Sequence, residues 1–310
     1  MKEFVHQSVL LRECIEGLDI KPDGVYVDCT LGGGGHSLRI AEKLQNGTLI
    51  GIDRDEDALR AAGERLRDYA KVFRPVHANF SQVREVLREA GLKADGILFD
   101  LGVSSFQLDE PERGFSYMQD APLDMRMDRS AGGTAADLVN LQDEAQIADI
   151  LWRYGEERYA RNIARAIVRE RENEPITTTG RLCEIIKRAM PPQALREKQH
   201  PAKRTFQALR IAVNGELSEV EEALRDLWQV CNPGGRICVI TFHSLEDRLV
   251  KEAFGQMAQG CTCPPQFPVC VCGNTPKVRL VSRKPILPDL QEIAENPRAR
   301  SAKLRIAEVI

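Results

Sequence analysis

The chain has 310 residues, 43% hydrophobic and 29% charged, enough to bury one large core or two of ordinary size. No run approaches the roughly 20 apolar residues of a membrane span, and the N-terminus lacks the basic-then-apolar build of a secretion signal. A cytoplasmic protein without membrane attachment is therefore expected, and a net charge of −3 disfavours a nucleic-acid binder that works through overall charge alone.

Periodicity predicts helices at 8–17, 36–45, 55–68 and 81–90, alternating with strands at 25–30, 48–53, 71–77 and 95–100. That alternation implies a parallel sheet with helices on both faces. After the first strand comes Asp28, and then the glycine run Gly32 to Gly35. Glycine lets the backbone turn sharply and lets a ligand lie against bare peptide, as nucleotide-like cofactors do at this point of open α/β sheets. The second strand ends at Asp53, at the spacing of a carboxylate that grips a ribose. The fourth ends at Asp100, where open sheets place reacting chemistry.

Two cofactor classes fit this frame. A nicotinamide enzyme needs G-x-G-x-x-G, of which Gly32 and Gly34 supply half, but Ser37 stands where the third glycine belongs. S-adenosylmethionine carries no phosphate and needs only close backbone approach. Asp28 then suits the methionyl ammonium, Asp53 the ribose hydroxyls, and Phe80 the adenine face. The methyl donor is the better fit. A nicotinamide-dependent oxidoreductase and a non-catalytic RNA-binding or assembly protein are the competing readings.

From 104 to 205 the rhythm breaks. A loop punctuated by Pro111, Gly114, Pro122, Gly132 and Gly133 leads to helices at 143–154, 156–172 and 178–190. Asp124, Arg126 and Asp128 alternate in that loop and suit a hydrogen-bonded turn better than a metal site. Asp149 to Arg204 carries 13 Lys/Arg and 8 Asp/Glu, a local +5 that leaves −8 for the remainder. Arg153, Arg158, Arg161, Arg165 and Arg169 recur at near-helical spacing, and Lys198, His200, Lys203 and Arg204 follow, which together suggest a phosphate-binding surface. Alternation resumes with a helix over 206–230, a turn at 232–235, a strand at 236–242, a helix from Leu245 and strands at 278–284 and 304–310. The expected architecture is one doubly wound α/β domain (1–103 and 206–310) interrupted by an all-helical domain (104–205) that binds RNA.

Nine cysteines, an odd total, argue against a secreted disulfide framework. Cys261, Cys263, Cys270 and Cys272 form a C-x-C, six-residue, C-x-C array, for which structural zinc, free thiols and disulfides all stay open.

Several long strings then carry a resemblance: Asp100-Leu-Gly-Val-Ser-Ser, Glu112-Arg-Gly-Phe-Ser116, Pro122-Leu-Asp-Met-Arg-Met-Asp128, Tyr154-Gly-Glu-Glu-Arg-Tyr159, Lys203-Arg-Thr-Phe-Gln-Ala-Leu-Arg210, Thr241-Phe-His-Ser-Leu-Glu-Asp-Arg248 and Asn296-Pro-Arg-Ala-Arg-Ser301. With Gly32 to His36, they resemble the bacterial small-subunit ribosomal RNA (cytosine-N4)-methyltransferases, the RsmH/MraW family, from about His6 onward. The resemblance implies a Rossmann-like methyltransferase sheet with an inserted helical domain, S-adenosylmethionine as cofactor, and methylation of a cytidine N4 amino group in the decoding region of 16S rRNA. The partner would be the rRNA or the assembled small subunit, with a homodimer as a candidate assembly. Carried over to this chain, the donor contacts would be Gly34, Gly35, His36, Asp53, Phe80, Asp100 and Gln107. Asp100 is the expected catalytic residue, and His243, just past the fifth strand, either positions the target or fixes the strand end. The Asp-Pro-Pro-aromatic string of many amino-methyltransferases is missing, since the site reads Asp100-Leu-Gly-Val103. Phe106, Phe115, Tyr117 and Phe242 are therefore the candidate stacking rings.

Overall fold

β1 (Val25–Asp28), β2 (Thr48–Asp53) and β4 (Ala94–Asp100) are largely apolar and buried, as expected of parallel strands covered by helices on each face. In the computed structural model, which describes residues 8–103, 110–264, 266–267 and 269–310, they belong to a seven-stranded sheet of order β3-β2-β1-β4-β5-β7-β6. β3 (Phe73–His77) and β5 (Cys231–Thr241) run parallel to them. β7 (Lys303–Val309) is antiparallel to both β5 and β6 (Val278–Leu280).

The pleat sorts successive side chains into two cores. Val27, Ile97, Phe99, Ile237 and Val239 pack on one face with Leu87, Val250 and Phe254. Tyr26, Leu98, Cys238 and Ile240 pack on the other with Ile40, Leu304 and Ile306. Each fully buried side chain of this size contributes ~1.5–3 kcal/mol relative to exposure. Strand order reverses between β1 and β4, and the crevice outside their carboxyl ends is the place where such sheets hold ligands.

The chain divides into two units, Met1–Gly102 with Leu217–Ile310, and Val103–Glu216. The sheet lies wholly in the first. The second contains the helices Ala135–Leu141, Glu144–Gly155, Ala160–Arg171, Thr179–Ala189 and Lys203–Asn214. Ile147, Leu151, Ile163, Ile167, Ile186, Phe206 and Leu209 form its core. Thr134 and Asp143 cap two of these helices through reciprocal bonds with Asp137 and Gln146.

The helix expected over 206–230 is broken. It runs as Lys203–Asn214, Glu216–Leu224 and a 3-10 turn at Leu227–Val230. Gly215 takes φ 62° and ends the first piece in the left-handed conformation that a Cβ disfavours. The division between units falls beside this glycine, later in the chain than the expected 205/206 boundary. Sequence periodicity missed the helices Ala135–Leu141 and Leu290–Glu295, which are too short to set a period. Among the described residues, no helix is long and apolar enough to cross a membrane.

Candidate active site

The turn after β1 is held from below by acids. Asp28 is buried, accepts a hydrogen bond from Ser37 Oγ at 2.7 Å and another from the Thr30 amide at 3.2 Å. At the end of β2, Asp53 accepts from the Gly32 amide at 2.8 Å and the Asp55 amide at 2.9 Å, which ties that strand to the glycine turn. Burial raises both carboxyls to about 6. Each carboxylate oxygen has a second lone pair, so these bonds leave acceptor capacity on Asp53 for a ligand hydroxyl.

The glycines are required by what packs behind them. Gly34 has φ 73° and caps the helix Gly35–Ala41. A Cβ on Gly35 would meet Ser8 Oγ at 2.0 Å, whereas one on Gly33 would meet only Arg65 Nη1, at 3.8 Å. The turn therefore packs tightly at Gly35 and presents open peptide at Gly33.

Asp100 ends β4 with its side chain 25% exposed. Its amide donates to Thr30 Oγ1 at 2.6 Å, and its Oδ2 lies 3.7 Å from His36 Nδ1. His36 is itself buried, with Nε2 bonded to the Val9 carbonyl at 3.0 Å. Asp100 Oδ1 is buried and has no hydrogen-bond partner among the described residues. Desolvation, with smaller contributions from the Asp28 and Glu246 charges, pushes this carboxyl up to about 8. A buried acceptor left without a donor is costly unless a ligand completes it.

Immediately beyond, Gly102 adopts φ 110°, and a Cβ there would lie 3.2 Å from the Phe242 ring. Phe242 is thus the stacking candidate that lies beside the Asp100 turn. Phe115 is buried in the helical unit, and Tyr117 stacks on His200 at 4.6 Å and meets Phe206 edge-on, so packing occupies both. Phe106 and Gln107 lie outside the described residues. Phe80 is half-buried, edge-on to Phe99 at 6.2 Å, in a 3-10 turn capped by Asn79.

His243 is placed at the end of β5 as the cap of the helix Ser244–Met257, its Nδ1 facing the Glu246 amide at 3.4 Å and its Nε2 lying 3.0 Å from Glu246 Oε1. Glu246 is buried and accepts from the Phe242 amide at 2.8 Å. That arrangement ties His243 to the turn at Phe242, with its buried Nε2 making no hydrogen bond among the described residues. Sequence reasoning missed Thr30, Ser37 and Glu246, which hold the acids and the turn in place. Thr30, two positions after Asp28, had a local signal, whereas Ser37 and Glu246 lie far along the chain from the acids. Arg65 was missed because only the fold carries it over the glycine turn.

In the helical unit, the five arginines do not form one free face. Arg153 belongs to the helix Glu144–Gly155 and Arg161, Arg165 and Arg169 to Ala160–Arg171, the chain reversing through Glu156 at φ 49°. Arg153 pairs with Asp149, Arg165 with Glu144 and Arg169 with Glu170. Arg158 and Arg161 are exposed with no ion pair among the described residues. Arg204 donates to the Glu156 carbonyl at 2.8 Å, and it lines a depression with Arg158, Tyr159, Gln199 and His200. Lys198 and Lys203 are exposed. In the preceding loop, Arg126 clamps Asp124 through two bonds of 2.9 and 3.0 Å, a turn held by its own charges.

The chain is 56% identical over 307 residues to the ribosomal RNA small subunit methyltransferase H of Brevibacillus brevis, covering 98% of each. It is 55% identical over 310 residues to the protein of that name from Clostridioides difficile, covering 99% of this chain and 100% of the relative. A Paenibacillus relative of the same name is 56% identical over 313 residues, with 98% and 99% covered. Ser37, buried and bonded to Asp28 where a dinucleotide fingerprint has its third glycine, removes support from the nicotinamide reading. The MraW methylase family matches residues 3–310, and the chain belongs to that family.

Proposed function

We propose that this chain transfers a methyl group from S-adenosylmethionine to the exocyclic N4 amino group of a cytidine in the decoding region of small-subunit ribosomal RNA, working in the cytoplasm. The observation that carries the reading is the buried Oδ1 of Asp100, without a partner among the described residues, at the switch point of the sheet beside a glycine turn held by Asp53. A buried acceptor at this position suits a ligand N–H, and open peptide at Gly33 suits close approach of a nucleoside.

When bound, S-adenosylmethionine would supply an electrophilic methyl on a sulfonium centre. Asp53 would accept the ribose hydroxyls, Phe80 would cover the adenine, and Gly34, Gly35 and His36 would shape the wall behind. Cytosine's amino lone pair is delocalised into the ring and attacks poorly. Asp100 and the Leu101 carbonyl would accept hydrogen bonds from the N4–H groups, drawing the nitrogen towards sp³ and holding it in line. As the nitrogen–methyl bond forms and the sulfur–methyl bond breaks, the surplus N4 proton would pass to Asp100 in its ionised form, which a carboxyl held at about 8 must first reach by losing its own proton. The left-handed Gly102, which carries no side chain beside the Phe242 ring, would let the base approach, and that ring would be its stacking partner.

Arg158, Arg161, Lys198 and Lys203 would neutralise phosphates, supplying affinity, while selectivity would come from the base extruded into the site. Mass spectrometry of small-subunit rRNA tests the whole proposal. A strain lacking this chain should lose one N4-methylcytidine, regained with the wild-type chain and not with Asp100→Ala. An unchanged modification pattern, or full recovery with the alanine variant in a folded protein, refutes it.

A further inference from the structure

The segment joining the helix Ser244–Met257 to β6 has no apolar core of its own. Phe267, Val269 and Val271 all point outward, 51%, 69% and 73% exposed. Yet within it four sulfurs converge. Cys261 and Cys270 Sγ are 3.3 Å apart, Cys270 and Cys272 3.6 Å, Cys272 and Cys261 3.7 Å, and Cys263 and Cys270 4.0 Å. All four lie within 4.8 Å of one another.

Those separations argue against a disulfide and against an iron–sulfur cluster, and they match the spacing of four thiolates on one ion. A disulfide holds its sulfurs at about 2.05 Å, and all four cysteines are free. An iron–sulfur cluster carries its thiolates on the outside of an inorganic core, and these sulfurs leave no space for one. Four thiolates around one zinc at about 2.3 Å form a tetrahedron with edges of about 3.75 Å, and these four separations straddle that value.

The backbone is arranged for thiolates as well. The Val271 amide donates to Cys263 Sγ at 3.3 Å, and the Thr262 and Asn274 amides each donate to Cys272 Sγ at 3.4 Å. Such bonds hold metal-binding sulfurs in place and offset their charge. Asn274 Nδ2 closes the base of the loop by donating to the Gln259 and Gly260 carbonyls at 3.1 and 2.9 Å. Of the prolines between the two pairs, Pro265 and Pro268 lie outside the described residues.

We propose that Cys261, Cys263, Cys270 and Cys272 bind one zinc ion as a closed tetrathiolate that fixes this surface loop. With four protein ligands, the ion has no open position for water, so its role is structural and independent of methyl transfer. Without it, only a few exposed hydrogen bonds offset the entropy of ordering this loop.

The test uses the full chain, purified without an affinity tag under reducing conditions. Elemental analysis should find one zinc per chain, and the double variant Cys261→Ser/Cys272→Ser should lose it while keeping the helical circular dichroism of the parent. Cobalt(II) added to chelator-treated protein should give the intense thiolate-to-metal absorption of a tetrahedral site, which zinc then abolishes. Absence of zinc together with no cobalt spectrum overturns the proposal. So does zinc retained by the double variant, iron in place of zinc, or two disulfides found in protein isolated with its redox state preserved.

Discussion

Asp100 combines a side chain one-quarter exposed, a buried oxygen without a partner among the described residues, and a raised proton affinity. Its burial and that of Asp28 and Asp53 also set a pH dependence. All three carboxyls are raised, so the folded chain binds more protons than the unfolded one from about pH 4 up to their folded values, about 6 for two and about 8 for Asp100. Their contribution to stability is present at low pH and is lost as pH rises through that window. Urea unfolding of the ligand-free chain should show it, with Asp100→Asn losing less stability than wild type between about pH 6 and 8. Equal losses would show that Asp100 is ionised throughout. The acids themselves were legible because each ends an apolar strand. Their partners were not, since Thr30 is an ordinary bend residue and Ser37 an ordinary helix residue until the fold closes.

At the scale of elements, the glycine turn rests on β2 through a residue with no side chain. Leu31 is buried, and its amide donates to the Ile52 carbonyl at 3.0 Å. A Cβ on Gly51 would lie 2.8 Å from both Leu31 Cδ1 and Phe73 Cε2. Gly51→Ala should therefore cost about 1–3 kcal/mol in urea unfolding through overpacking, and weaken S-adenosylmethionine binding by calorimetry because Leu31 carries the turn. Unchanged stability would mean that Leu31 and Phe73 give way freely. The parallel strands were legible here because each is a short apolar run between helical patterns. The break at Gly215 was not, since one glycine costs a helix only about 1 kcal/mol. The place of β7 between β5 and β6 depends on pairing that no local period encodes.

At the scale of the whole molecule, charge is unevenly shared, and the structure narrows which charges are available. Three of the five arginines have acidic partners, and Arg204 holds a backbone carbonyl, which leaves Arg158 and Arg161 as the exposed cations of that set without an ion pair among the described residues. Charge reversal of both should raise KM for the RNA substrate and flatten the log–log salt dependence by up to about 2, close to one per phosphate contact. Cofactor affinity should stay unchanged, and an unaltered salt slope would remove this surface from the RNA interface. Lysine and arginine counts pointed to the segment, but pairing between Arg165 and Glu144 joins two helices and was beyond the reach of composition. The division of the first unit also has a consequence during synthesis. β4 and β5 are neighbours in the sheet, yet all of Val103–Glu216 is translated between them. That stretch is contiguous and rich in local helical contacts, so it can mature on the ribosome first. Meanwhile β4 waits with one edge bare and with Ile97 and Phe99 lacking the later partners Ile237, Val239, Val250 and Phe254, the interval in which a nascent chain most needs a chaperone.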